Sequence, residues 1–252
     1  MKKQDISPSA ITAGYLKRQR RYTLTTAILL LLTLSLAAVM MLYGNTIYSP
    51  ETVLRVLSGT DAGGAAFTIR TLRFPRMLTA ILCGMAFGLS GNTFQQLLGN
   101  PLASPDIIGV TSGASVAAVF GILILKLDYG IVAVMAVFSG LLVSALIYFL
   151  SHKNGFSNTR LILTGIGMQA FLNSIISWML LKASEYDVAS ALRWLSGSLN
   201  GVKMDTMPAL AAVVFTAGLG ILLLSRHLLI LQLGEAHAVT LGIPVSITRL
   251  LL

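Results

Sequence analysis

Arg73 and Arg76 stand directly before an uncharged stretch of more than twenty residues. A guanidinium binds carboxylate or phosphate oxygens through parallel hydrogen bonds, so arginine is the residue type suited to recognising an anionic group. Because the two arginines are three positions apart, a helix carries both on one face, and Pro75 fixes the backbone between them. The pattern predicts a cationic surface at the mouth of a membrane helix, where lipid phosphate is one possible partner.

A proline-bounded turn follows the same stretch. Residues 99–106 read Gly-Asn-Pro-Leu-Ala-Ser-Pro-Asp, and their two prolines remove backbone donors and stop a helix from continuing. The turn presents Asn100 and Leu102. A second short turn ends in Asn158 and Thr159. Both turns are predicted to lie on the inner side of the membrane.

Polar residues recur every four positions in two of the uncharged stretches. The two sets are Gly84, Gly88, Asn92 and Gln96, and Gly165, Gln169, Asn173 and Ser177. A spacing of four places each set on one helix face, where glycines allow close approach and amides hydrogen-bond between helices. Helix packing and, for the second set, the lining of a polar pathway are the two interpretations.

Residues 231–245 interrupt the hydrophobic pattern with Gly, Glu, His and Pro. We interpret them as two short helices joined near Gly242, because such punctuation is typical of turns and not of a membrane span. Two short helices on a membrane surface can dock into a partner's cleft by burying one apolar face. An ordinary amphipathic surface loop is the alternative.

The sequence lacks the residue patterns required for nucleotide binding, metal binding or nucleophilic catalysis. No G-x-x-x-x-G-K-[ST] motif is present, so the chain has no P-loop for nucleotide phosphates. The three histidines are dispersed without metal-ligand spacing, and no Ser/His/Asp or Cys/His arrangement suggests a nucleophile. The single Cys83 cannot form an intrachain disulfide. We expect a chain that is not an enzyme and holds no metal.

Composition predicts a polytopic all-α membrane protein. Hydrophobic residues make up 55% of the chain, charged residues 11%, and the mean hydropathy is +0.81. Six uncharged windows are each about long enough to cross a bilayer. They cover residues 23–42, 77–98, 107–125, 129–151, 161–181 and 206–225. The third is the least secure span, since its Gly and Ser content also suits a helix buried inside the bundle. No Asp, Glu, Lys or Arg lies inside any window, which counts against a proton- or sodium-coupled transporter.

The N-terminal tail, residues 1–21, carries six Lys and Arg against one acid. By the positive-inside tendency it is cytoplasmic, and six spans return the chain to that side. The segments then assigned inside hold ten Lys and Arg against three acids, whereas those outside hold eight against six. We expect the tail to contact anionic lipid and not nucleic acid. A cleaved signal peptide is disfavoured because no small-residue cleavage site follows the first window.

Two longer connections have their own character. Residues 44–71 form a polar loop with a predicted short helix at 50–57, opened by Ser49 as N-cap and Pro50 at the first helical position. Residues 182–204 mix charges with Trp194, which is typical of an outer interfacial turn.

The chain resembles the permease subunits of bacterial ABC importers for iron-siderophore complexes, haem or cobalamin, the FecCD-type or type II importers. The resemblance covers residues 22–252 and rests on the arginine pair, the Asn-Pro turn and an L-x-L-G-x-x-x-A-x-x-L-G-x-x-V segment. That segment is matched by Leu231, Leu233, Gly234, Ala238, Leu241, Gly242 and Val245. Members of the family have about ten spans, so the resemblance implies that the family's C-terminal helices are absent from this single permease domain of residues 1–252.

The resemblance implies a role for each motif. Arg73 and Arg76 would dock the acidic residues of an extracytoplasmic substrate-binding protein. The cytoplasmic gate would be formed by Asn100, Leu102, Asn158 and Thr159. The pathway would be lined by Gln169, Asn173 and Ser177. Coupling to the ATPase, within the cytoplasmic coupling segment 226–248, would fall to Leu233, Gly234, Glu235, Ala238, Leu241 and Gly242.

The resemblance also implies the assembly. A second permease subunit, identical or different, and two ATP-binding cassette subunits would complete the transporter in the bacterial cytoplasmic membrane. ATP and magnesium would bind those partners, and this chain would hold no cofactor. The expected function is import of iron-siderophore complexes. Import of cobalamin or haem is the alternative within transport, and a nonfunctional truncated membrane scaffold is the alternative from another class.

Overall fold

The computed structural model describes residues 8–59, 63–152 and 157–251, without the side chains of residues 8–11, 13, 235 and 236. The described residues are helical and contain no strand, which confirms the all-α prediction. In the described residues the α-helices are α1 (Pro8–Leu42), α2 (Pro50–Leu57), α3 (Gly64–Ala66), α4 (Phe74–Leu98), α5 (Val110–Leu123), α6 (Tyr129–Ser151), α7 (Asn158–Lys182), α8 (Glu185–Ser196), α9 (Met207–Leu231), α10 (Glu235–Thr240) and α11 (Val245–Leu251). A π-helix, Phe67–Arg73, follows α3, and 3₁₀ turns cover Pro105–Ile108 and Met204–Thr206.

Five helices of the described part are long and apolar enough to cross a membrane, one fewer than the six predicted windows. They are Gly14–Leu42, Gly64–Leu98, Tyr129–Ser151, Asn158–Lys182 and Met204–Leu231. The third candidate, residues 107–125, contains only the 14-residue helix α5, about 21 Å long at 1.5 Å per residue. The cytoplasmic position of the N-terminus rests on the basic tail and stays a prediction.

Helix α5 is short because backbone turns end it on both sides. Gly109 has a left-handed φ of 69° before its first turn, and Lys126 has a φ of 52° after its last. Neither conformation continues a right-handed helix. Half of the helix is buried, including Ala118 and Val119, which are fully buried. The alternative of a helix inside the bundle is therefore the one observed.

The chain forms two compact units. The first comprises residues 1–82 and 201–210, and the second comprises residues 83–200 and 211–252. In the first, the basic residues of 17–21 lie on α1 itself, exposed, while the remaining charges of the tail, at positions 2, 3 and 5, lie outside the described residues. Helix α2 is capped as expected, because the Ser49 side chain accepts a hydrogen bond from the Thr52 backbone N–H at 3.2 Å. Its buried Val53 and Val56 pack with Met41 and Ile69.

The helix that carries the arginine pair begins earlier than expected. It runs without interruption from Gly64, through the π-helix, into α4, so Pro75 lies inside it and not at its start. Proline inside an α-helix lacks a donor and clashes with the carbonyl four residues earlier. A π-turn widens the backbone spacing by one residue directly before this position, which accommodates the ring.

In the second unit, α5 packs against α6, α7 and α8. Two glycines permit close approach. A Cβ at Gly113 would lie 2.8 Å from the Val143 side chain, and one at Gly165 would overlap the Ile107 carbonyl oxygen. The expected interfacial turn at 182–204 is instead largely the helix α8, which Ser184 caps by accepting from the Asp187 backbone N–H.

Candidate functional site

Arg73 is buried in the first unit, and its guanidinium binds backbone carbonyls. Nη1 donates to the carbonyl of Met41 at 2.7 Å, and Nη2 donates to the carbonyl of Thr46 at 2.5 Å. The guanidinium also lies over the ring of Tyr48, 5.0 Å from its centroid, and the residue is only 8% exposed. Met41 belongs to the last turn of α1, whose carbonyls carry the negative end of the helix dipole. Arg73 thus ties the end of α1 and the loop after it to the helix that carries Arg73.

Arg70, one helical turn earlier, makes the same kind of contact with a second helix. Its Nε and Nη2 both donate to the carbonyl of Val56, near the C-terminus of α2. Gly44 leaves room for the guanidinium of Arg73, since a Cβ at position 44 would lie 2.6 Å from Arg73 Nη2. Hydrogen bonds with Thr46 and then Thr68 lower the pKa of Tyr48, and the nearby guanidinium acts in the same direction.

The two arginines of the pair therefore do not share an exposed face, and that expectation is wrong for Arg73. Arg76 is partly buried, and its Nε is buried without a hydrogen-bond partner. The regular spacing of three fails because Arg73 ends a π-helix while Arg76 belongs to α4. Docking of an acidic partner by Arg73 and Arg76 stays a prediction, and of the two Arg76 is the one not committed to backbone carbonyls.

The turn after α4, residues 99–104, is stabilised by hydrogen bonds between its own residues and exposes one apolar side chain. Asn100 Oδ1 accepts a hydrogen bond from the Leu102 backbone N–H at 2.9 Å, and the Asn100 carbonyl accepts from the Ala103 N–H. Ala103 is buried in a core cluster, whereas Leu102 is 86% exposed. We call residues 99–104 the gate turn, a name that refers to its expected role.

Asn158 brings the second predicted gate element to the first. It is the first residue of α7, and its Nδ2 donates to the Leu98 carbonyl at the end of α4 at 3.3 Å. Its Oδ1 is buried without a hydrogen-bond partner. Asn158 also lines a cavity of about 380 Å³ whose walls include Gln96, Gly99 and Gln232. Thr159 is exposed beside it.

The four-residue stripe of α7 does not lie on a single face. Gly165 is buried against the Ile107 carbonyl, Gln169 is partly buried, and Asn173 and Ser177 are exposed. Four residues advance a helix by about 400°, so each step turns the stripe by about 40° and carries it out of the core. Gly165 is a packing residue, and pathway lining by the other three stays a prediction. In α4, an added Cβ at Gly84 or Gly88 would meet no atom within 4 Å, so these glycines pack against nothing in the described chain.

The coupling segment has the predicted form of two short helices, α10 and α11, joined at Gly242. With φ of 78°, Gly242 ends α10 in a Schellman motif: its N–H donates to the Val239 carbonyl, and the Ile243 N–H donates to the Ala238 carbonyl. Gly234 also has a positive φ, 103°, directly before α10. The side chain of Glu235, a predicted coupling residue, lies outside the described residues.

The predicted coupling residues divide into a buried and an exposed set. Ala238 is fully buried and packs with three other buried residues, which are Leu231, Ile243 and Val245. Leu233 is 63% exposed and Leu241 is 61% exposed. A segment with its own small core that still exposes two leucines offers an apolar docking surface.

Titratable side chains form no metal-binding group in the described residues, where no three His, Cys, Asp or Glu side chains come together. The pKa of Asp187 is lowered, first by its hydrogen bond from Lys126 and then by that from Ser184. This ion pair joins the loop after α5 to α8.

The profile of the FecCD transport family matches residues 27–252. The chain belongs to this family. Achromobactin transport system permease protein CbrC of Dickeya dadantii is 36% identical over 239 residues, which are 92% of this FecCD-family chain and 68% of that protein. Ferric enterobactin transport system permease protein FepG of Escherichia coli is 34% identical over 200 residues, 79% of this chain and 61% of the relative.

Vitamin B12 import system permease protein BtuC of Klebsiella pneumoniae is 29% identical over 248 residues, 97% of this FecCD-family chain and 71% of that protein. The chain therefore spans 61% to 71% of the lengths of these three relatives. A solved structure of an inward-facing ABC transporter, assigned to the metal-chelate type, superposes with a TM-score of 0.77 and 25% identity. It is matched over 92% of this chain and 71% of that one.

Sequence reasoning missed two features of this FecCD-family chain. The first is Arg70, whose side chain holds the end of α2 through hydrogen bonds to the Val56 carbonyl. The one sequence signal for this role was its position one helical turn before Arg73. Gln232 donates from its Nε2 to Gln96 Oε1 at 2.8 Å, a contact across 136 positions that no local pattern indicates.

Proposed function

We propose that this FecCD-family chain is the membrane-spanning permease subunit of an ATP-driven importer of ferric chelates of the siderophore class. The coupling segment carries the proposal. Its buried core keeps α10 and α11 folded on the chain, while Leu233 and Leu241 stay exposed. Two apolar anchors on a pre-formed surface suit an ATPase cleft, because a few buried anchors supply most of the energy of such interfaces.

The proposed assembly contains a second permease subunit, two ATP-binding cassette subunits and an extracytoplasmic binding protein in a bacterial cytoplasmic membrane. ATP and magnesium bind to the ATPase partners. The permease contributes no covalent step; it presents Arg76 for docking, the gate turn for closure and the coupling segment for ATPase contact. Access to the pathway then alternates between the two sides of the membrane as nucleotide is bound and hydrolysed.

Similarity favours a ferric chelate over a corrinoid as cargo. The relatives named for achromobactin and ferric enterobactin transport are 36% and 34% identical, whereas two relatives named for cobalamin or vitamin B12 import are 32% and 29% identical.

Transport is tested by deleting the gene and restoring it, with uptake of radiolabelled ferric siderophores, haem and cobalamin as the readout. We expect deletion to abolish uptake of one ferric siderophore class and the restored gene to recover it. Loss of cobalamin or haem uptake instead would overturn the proposed cargo. Unchanged uptake of all three would overturn the transport function itself.

ATPase coupling is tested by Leu241→Asp in the complete permease. We expect the ATPase subunits no longer to copurify, because a carboxylate replaces an apolar anchor at the interface. Leu54→Asp is the matched control, since Leu54 is 67% exposed on α2, in the first unit. Equal copurification of both variants would rule out Leu241 as an anchor.

A further inference from the structure

The last turn of α4 is joined to the coupling segment by a hydrogen bond between two amides. Gln232 Nε2 donates to Gln96 Oε1 at 2.8 Å, and both residues belong to the second unit. Gln232 follows the last residue of α9 and directly precedes the turn into α10. The bond therefore connects the entry of the coupling segment to the end of the helix that leads into the gate turn.

The two residues after Gln96 also contact the coupling segment and the start of α7. Leu97 packs against the apolar core of the coupling segment, which includes Ala238. The Leu98 carbonyl accepts the hydrogen bond from Asn158 at the start of α7. Three consecutive residues thus contact the coupling segment twice and the second gate element once, immediately before the gate turn begins.

A cavity lies among these contacts and leaves room for displacement. Its volume is about 380 Å³, and its walls include Gln96, Leu98, Asn158 and Gln232. Close-packed cores resist small shifts, whereas groups that border a cavity can move without overpacking. One amide hydrogen bond is worth about 1 kcal/mol net, so it is strong enough to bias a position and weak enough to exchange.

We propose that Gln96 and Gln232 form a positioning pair that passes displacement of the coupling segment to the gate turn. This inference rests on the proposed transport function. Neither side chain needs to touch cargo or nucleotide. The pair fixes how far the gate turn moves when the coupling segment moves, and Leu97 keeps the two elements together while the amides exchange partners.

The test uses Gln96→Leu and Gln232→Leu, each in the complete permease assembled with its ATPase and binding protein in proteoliposomes. The quantity measured is cargo transported per ATP hydrolysed. We expect this ratio to fall about fivefold in each variant, the factor that corresponds to one net hydrogen bond. The double variant should fall no further than either single one, because both remove the same contact.

A rescue separates positioning from simple loss of structure. Gln96→Glu combined with Gln232→Lys places a donor opposite an acceptor again, and we expect the ratio to return toward that of the parent. Gln19→Leu, a Gln→Leu change at an exposed position of α1, is the control and should leave the ratio at its parental value. Each variant's melting temperature and ATPase copurification are recorded beside it.

The outcomes discriminate clearly. A parental ratio in both leucine variants would overturn the positioning pair, and so would a reduced ratio that the Glu/Lys combination fails to raise. A fall that tracks a lower melting temperature would assign the pair a structural role and would likewise overturn the inference. A parent complex that transports none of the tested cargoes would instead count against the proposed function, so the two failures are distinguishable.

Discussion

Replacing Arg73 should loosen the loop that connects α1 to α2. The guanidinium makes two hydrogen bonds to carbonyls and lies over Tyr48. A hydrogen bond from a charged donor contributes at least about 1.5 kcal/mol, and an arginine over an aromatic ring contributes at least about 0.5 kcal/mol. Arg73→Ala should therefore cost about 3.5 kcal/mol of local stability. Arg73→Lys should cost about 1.5 kcal/mol, because one ammonium cannot serve both carbonyls with the geometry of the guanidinium fork.

Tryptic cleavage after Arg55 measures this local stability in the purified permease. Arg55 lies on α2 with its side chain 65% exposed, so the site is accessible but protected by its helix. When opening and closing are fast, cleavage follows the equilibrium population of the open form. Since about 1.4 kcal/mol corresponds to a factor of ten, Arg73→Ala should accelerate cleavage roughly 300-fold. Arg73→Lys should accelerate it about tenfold.

Uptake measured together with this cleavage distinguishes a residue that holds the loop in place from one that docks the binding protein. We expect Arg76→Glu to abolish uptake while cleavage after Arg55 stays near the parental rate, because Arg76 binds neither carbonyl. Arg73→Glu should abolish uptake and also accelerate cleavage, since it leaves a carboxylate facing two carbonyl oxygens. If Arg73→Ala abolished uptake with no change in cleavage, the burial argument would be refuted and Arg73 would be assigned to docking.

Three further predictions concern the rest of the chain. Gly242→Val should abolish cargo-stimulated ATP hydrolysis, since a β-branched residue at a φ of 78° costs at least about 1 kcal/mol and disrupts the turn between α10 and α11; parental stimulation would contradict this. A cysteine at position 158, in a Cys83→Ala background, should crosslink to its symmetry mate in one nucleotide state only, and crosslinking in every state would leave Asn158 a structural role. The ion pair of Asp187 should stabilise the fold above the ordinary carboxyl pKa of 3.8 and lose this effect as the pH falls through the lowered folded value. A melting temperature measured from pH 7 to pH 3 should show that loss, and Lys126→Gln should remove most of it.

Several features could be predicted because their causes lie within a few residues. The lack of charge over about twenty residues selects membrane helices, since a bilayer offers no water to a charged group. Ser49 and Pro50 mark the start of α2 through a local hydrogen bond and a fixed φ. Gly242 and Pro244 separate α10 from α11 in the same way.

The candidate site was predictable only in part. The Asn-Pro turn and the start of α7 were recognisable as motifs, but only the structure joins Asn158 to the end of α4, 60 positions away. The spacing of Arg73 and Arg76 suggested a shared face because a regular helix was assumed, and the π-helix changed which way Arg73 points. The drift of the α7 stripe was computable from helix geometry, yet which part of it faces the core depended on Ile107.

The sequence by itself determined the class of protein, the positions of most membrane helices and the form of the coupling segment. Propensity, capping and hydrophobicity act over one or two helical turns, so the local residues suffice. Only the tertiary structure decided that Arg73 is buried, that α5 is a core helix and that Gln232 meets Gln96. Those outcomes depend on contacts between residues far apart in the chain, whose distance is set by the packing of whole helices and not by any local pattern.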